Sequence, residues 1–117
     1  MAGCILVVDD ERDIRDTIAE LLAEDGYAVE AAGDGAEALD KARTCHPVVV
    51  LLDLMMPGMN GWEFRARQRG DPELAAIPVI VLSALGRAPG VDAAAYLQKP
   101  FGLQDLLNVV RAHAPDA

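Results

Sequence analysis

The sequence predicts an α/β domain built on a parallel sheet with helices on both faces. Three observations predict it. Five short apolar runs alternate with stretches of helical periodicity, the pattern of consecutive strand–helix units. The central run, Val48 to Leu52, is apolar without alternation, as in a strand buried on both faces. Four of the runs end in a polar or charged residue: Asp9 and Asp10 after the first, Asp53 after the third, Ser83 after the fourth and Lys99 after the fifth. In open α/β sheets the carboxyl ends of the strands are where ligands bind.

The elements follow in order. Ile5 to Val8 reads as the first strand, ending at Asp9, Asp10 and Glu11. A helix follows with Ile14, Ile18, Leu21 and Leu22 on one face, and Gly26 is placed to cap its C-terminus. Ala28 to Ala32 is a weak second strand centred on Val29. Asp34 and Glu37 have the spacing of a capping box, opening a helix that runs to about Thr44 with Leu39 and Ala42 inward. Val48 to Leu52 is the third strand. Pro57, Gly58, Asn60 and Gly61 mark a loop, from which a third helix runs from about Asn60 to Gly70. Asp71-Pro72-Glu73 is placed to begin one more helical turn, with proline at its first position. Val79 to Leu82 is the fourth strand and Tyr96 to Gln98 the fifth, ending at Lys99-Pro100. The last helix, Leu103 to about His113, buries Leu103, Leu106, Leu107 and Val110.

Bulk properties narrow the function. A chain of 117 residues, 52% hydrophobic, has the size of one domain with one core, residues 1–117. Its net charge of −9 argues against nonspecific binding to nucleic acid or to an anionic membrane. No apolar run approaches the ~20 residues of a membrane span, and no signal peptide is evident. Cys4 and Cys45 read as reduced thiols of a cytoplasmic protein.

If the first, third, fourth and fifth strands are neighbours, ~4.8 Å apart, their terminal side chains share one pocket. Three carboxylates there should resist ionising together, and a hard divalent cation such as Mg2+ relieves their repulsion. Lys99 and Ser83 add a cation and a hydroxyl for phosphate oxygens. A carboxylate in that company is a phosphoryl acceptor.

Four motifs sharpen this: VVDDE at 7–11, LLDLMMPGMNGWE at 51–63, VIVLSA at 79–84 and YLQKPF at 96–101. Together they resemble the response-regulator receiver domain of two-component signalling, the CheY-like family, over essentially the whole chain. The resemblance implies a flavodoxin-like fold with strand order 2-1-3-4-5. It implies Asp53 as phosphoacceptor, fed by a phosphohistidine of a histidine kinase or phosphotransfer protein. Asp10, Asp53 and the backbone carbonyl of Met55 would ligate Mg2+ directly, and Asp9 through water. Ser83 and Lys99 would hold the phosphoryl group, Tyr96 would be the switch aromatic coupled to Ser83, and the Lys99–Pro100 bond would be cis. A stand-alone receiver is expected; the alternative is a receiver domain from a hybrid kinase or larger regulator. An Mg2+-dependent phosphohydrolase with an aspartyl nucleophile is disfavoured, because Met55 stands where a general acid would be needed. A pseudo-receiver that binds a partner without phosphorylation is disfavoured because every acid and the lysine are present.

One stretch departs from the family. Only twelve residues, Ala84 to Ala95, separate Ser83 from Tyr96, with Pro89-Gly90 in the middle. The helix that receivers carry here is therefore expected to be shortened or missing. A dimer or downstream protein contact is expected on the side of the fourth strand, the fifth strand and the last helix.

Overall fold

The structure is a computed structural model that describes residues 3–84 and 92–114. Five strands form one parallel sheet: β1 (Cys4–Val8), β2 (Ala28–Ala32), β3 (Val49–Asp53), β4 (Val79–Ser83) and β5 (Ala95–Gln98), in the order β2-β1-β3-β4-β5. Four helices are present among the described residues: α1 (Arg12–Glu24), α2 (Gly35–Cys45), α3 (Gly61–Arg69) and α4 (Leu103–His113).

The period-two alternation of a strand sorts its side chains between two helical layers. Leu6, Val8, Val50, Leu52, Val79 and Val81 face α2 and α3, meeting Ala38, Leu39, Ala42 and Phe64. Ile5, Val7, Val49, Leu51, Ile80 and Leu82 face the other way, meeting Ile18 and Leu22 of α1 and Leu106, Leu107 and Val110 of α4. Both faces of β1, β3 and β4 are covered, so these strands are apolar up to the polar residues at their carboxyl ends, whereas the edge strand β5 is half-buried.

Local signals set the boundaries. Gly26 takes φ +97° just past α1 and donates to the Ala23 carbonyl, ending that helix. Asp34 caps α2 by accepting from the Glu37 amide at 2.9 Å, but Glu37 reaches past Asp34 to the Gly33 amide at 2.8 Å. The reciprocal capping box is instead at α3, where Asn60 accepts from the Glu63 amide and Glu63 accepts from the Asn60 amide. Residues 72–76 form a turn, with the Asp71 carboxylate accepting from the Glu73 amide and its carbonyl from those of Leu74 and Ala75.

Other expectations change as well: β4 runs on to Ser83 and β5 starts at Ala95. β3 is shifted one residue onward and contains Asp53 itself. Leu103 is 45% exposed rather than buried; as the first residue of α4 it lies at the rim of a cleft, ahead of the turn that meets the sheet. The expected loss of a helix between Ser83 and Tyr96 falls on residues 85–91, outside those described. Among the described residues, no helix is long and apolar enough to cross a membrane.

Candidate phosphoacceptor and metal site

The parallel register brings the predicted residues to one edge. Val8 pairs with Leu52, so Asp9 and Asp53 follow at equivalent positions on adjacent strands. Asp53 pairs with Leu82 and Ser83 with Gln98, which places Ser83 and Lys99 next along the same edge. Asp9 is fully buried, Asp53 and Ser83 nearly so, and Asp10 is exposed at the mouth. One carboxylate oxygen from each of Asp9, Asp10 and Asp53 lies within 4.8 Å of the others.

Lys99 reaches into this cluster from the end of β5. Its Nζ donates to Asp9 Oδ2 at 2.8 Å and stands 3.7 Å from Asp53 Oδ1. The backbone amide of Lys99 donates to the Ser83 carbonyl at 2.9 Å, tying its position to β4. The Lys99–Pro100 peptide bond is cis. Asp9 Oδ1 also accepts from the Glu11 amide at 2.9 Å, and Arg15 donates to the Asp9 carbonyl at 2.8 Å. Asp53 has less support: the Met55 amide donates to its Oδ1 at 3.3 Å. Burial foremost, then the charge of Asp9, pushes the Asp53 carboxyl from 3.8 up to about 6, against the pull of Lys99 and the Met55 amide. Burial alone would lower the Lys99 pKa, but its bond to Asp9 and the charges of Asp9 and Asp53 hold it above the ordinary lysine value.

The loop after β3 needs glycine at two points. Gly58 takes φ +66°, a left-handed conformation that side chains disfavour. A Cβ on Gly61 would stand 2.6 Å from the Leu54 Cα and 2.7 Å from the Asp53 carbonyl oxygen. The start of α3 is thus pressed directly against the backbone that carries Asp53.

The donor set suits a hard cation. It offers oxygens alone, from three crowded carboxylates, one of which resists ionisation because it is buried and faces the charge of Asp9. Tyr96, on β5, is half-buried, and its hydroxyl accepts from the Ala93 amide at 3.1 Å. The Met55 side chain is 64% exposed on the loop beside Asp53. Sequence reasoning missed a cleft of about 530 Å3 between α1 and the start of α4, lined by Ile14, Ile18, Pro100, Phe101 and Leu103 with Lys99 at one side. Ile14 and Leu103 were its only legible signal, and both read as core.

Residues 5–111 match the family described as the response regulator receiver domain. Response regulator MprA of Mycobacterium tuberculosis is 43% identical over 118 positions, covering 96% of this chain and 50% of that protein. MprA of Mycobacterium sp. strain KMS is 44% identical over 116 positions, covering 92% and 49%. The chain therefore spans about half the length of the curated relatives it matches. Among solved structures, chemotaxis protein CheY4 of Vibrio cholerae superposes with a TM-score of 0.88 at 32% identity, covering 97% of this chain and 99% of that one. The receiver domain of a signal transduction histidine kinase from Syntrophus aciditrophicus gives 0.86 at 30% identity, covering 95% and 89%. The chain belongs to the response regulator receiver domain family, a CheY-like module of two-component signalling rather than an enzyme.

Proposed function

We propose that Asp53 accepts a phosphoryl group from a phosphohistidine on a partner histidine kinase or phosphotransfer protein, in the cytoplasm, and that residues 1–117 act as one receiver domain. The observation that carries this is the state of Asp53: a buried carboxylate at a strand end, crowded by two other acids and only 3.7 Å from the lysine. An Asp53 oxygen attacks phosphorus in line, and the bond to the histidine nitrogen breaks as the new one forms.

Asp10, Asp53 and the Met55 carbonyl would hold Mg2+, with Asp9 acting through water. When bound, the ion neutralises charge in the pocket and on the transferring group. Lys99 and the Ser83 hydroxyl each take a phosphoryl oxygen, from β5 and β4 respectively. Drawing Ser83 toward the phosphoryl group shifts β4 against Tyr96, whose ring packs on the same sheet face. The β4–β5–α4 side then presents the changed surface to a downstream protein or a second copy; β5 supports this reading as a half-exposed edge strand. The apolar cleft beside α1 adjoins Lys99 and supplies contact area for the phosphoryl donor.

Acetyl phosphate with Mg2+, read by intact mass, tests the proposal. Wild-type protein gains one phosphoryl group that hydroxylamine removes, as it does an acyl phosphate. Asp53→Asn gains none, and Asp10→Ala needs more Mg2+ to reach the same labelling. Undiminished labelling of Asp53→Asn would assign the acceptor elsewhere.

A further inference from the structure

The two cysteines meet at the end of the sheet away from the acidic site. Cys4 opens β1 and Cys45 closes α2. His46 turns the chain out of the helix with φ +47°, and the Val48 amide then donates to the Cys4 carbonyl at 2.8 Å. This return brings two sulfurs 41 residues apart in sequence to 3.0 Å, with the Cys4 thiol donating to Cys45 Sγ. Both thiols are free and half-buried, within reach of small reagents. Sulfurs in a disulfide are ~2.05 Å apart, so an approach of about 1 Å closes the bond.

We propose that Cys4 and Cys45 form a redox modification site, converted by a low-molecular-weight disulfide into an intramolecular disulfide. Burial foremost pushes the Cys45 thiol up to about 12, which favours Cys4 as the opening nucleophile. Its thiolate attacks one sulfur of the reagent, giving a mixed disulfide and expelling one thiolate, which takes the proton that Cys4 lost. Cys45 then gives up its proton and attacks the Cys4 sulfur, closing the protein disulfide and expelling the second thiolate, which is protonated in turn. Two protein thiols and one small disulfide become one protein disulfide and two small thiols. The protein loses two electrons and two protons, and the reagent gains them.

The bond would lock the end of α2 onto the sheet and close a loop containing α1, β2 and α2. Such a loop restricts the unfolded chain, and a rise in Tm of roughly 10 °C is expected. Asp9 stands just past the far end of β1, so the bond would form at the opposite edge of the sheet from the phosphoryl site.

Oxidised glutathione, followed by acid quench, alkylation and intact mass, tests the site on the whole chain. Expected is a monomer that takes up no alkylating groups, carries no glutathione, melts higher, and returns to two alkylatable thiols after dithiothreitol. Cys45→Ser should stop at one glutathione on Cys4, because nothing resolves the mixed disulfide. Two thiols still fully alkylatable after oxidation, two stable glutathione adducts on wild-type protein, or disulfide-linked dimers would each overturn the proposal.

Discussion

Asp9 and Asp53 end neighbouring strands at equivalent register positions, and both are buried, yet the fold treats them differently. Asp9 has Lys99 at 2.8 Å and the Glu11 amide at 2.9 Å. Asp53 has one amide at 3.3 Å and the same lysine at 3.7 Å. The lysine bonds the first carboxylate and stands farther from the second, which burial and the charge of Asp9 leave disfavoured as an anion. One strand end is thus a satisfied ion pair, and the other is a carboxylate whose charge the folded state disfavours, at some cost to stability.

The largest test of this contrast removes the shared cation. Lys99→Met keeps the apolar stem but leaves Asp9 buried without a counter-charge. A loss of about 3 kcal/mol is expected in metal-free denaturant unfolding. A variant as stable as the wild type would mean that the Glu11 amide alone satisfies Asp9.

Next comes Asp53→Asn, which should act in the opposite direction. It removes a charge that the folded state disfavours, so at neutral pH and without metal the variant should gain about 1–2 kcal/mol, allowing for solvent on the open side of the pocket. Added Mg2+ should stabilise the wild type and not the variant. The smallest effect probes the scaffold beside the site. Asn60→Ala removes half of the α3 capping box and should cost about 1 kcal/mol. Because Gly61 presses on the Asp53 backbone, the same variant should also weaken Mg2+ binding in a calorimetric titration.

Much of this was legible in the sequence. The uninterrupted apolar runs of β1, β3 and β4 announced strands covered on both faces, and the residues that end them announced the site. What remained hidden depends on distances between elements. Spacing pointed to a capping box at Asp34 and Glu37, but a Glu side chain is long enough to choose between two adjacent amides, and Glu37 takes Gly33. Nothing in the sequence says which acid Lys99 prefers, since that turns on about 1 Å across three strands. The meeting of Cys4 and Cys45 depends on how α2 returns to the sheet, and Leu103 read as core because helical periodicity does not say where a helix first touches its neighbour.

The central claim, that Asp53 is held under-compensated, is tested most directly by thermal unfolding against pH for wild type and Asp53→Asn without metal. A folded-state pKa raised from 3.8 to about 6 means that the folded protein binds the proton more tightly than the unfolded chain. That contribution is complete below the unfolded value and is lost as pH rises through the folded one. The wild type should therefore fall progressively behind the variant between 3.8 and about 6, then run parallel to it, with Mg2+ closing the gap at neutral pH. Curves that stay parallel across the whole range would contradict the account.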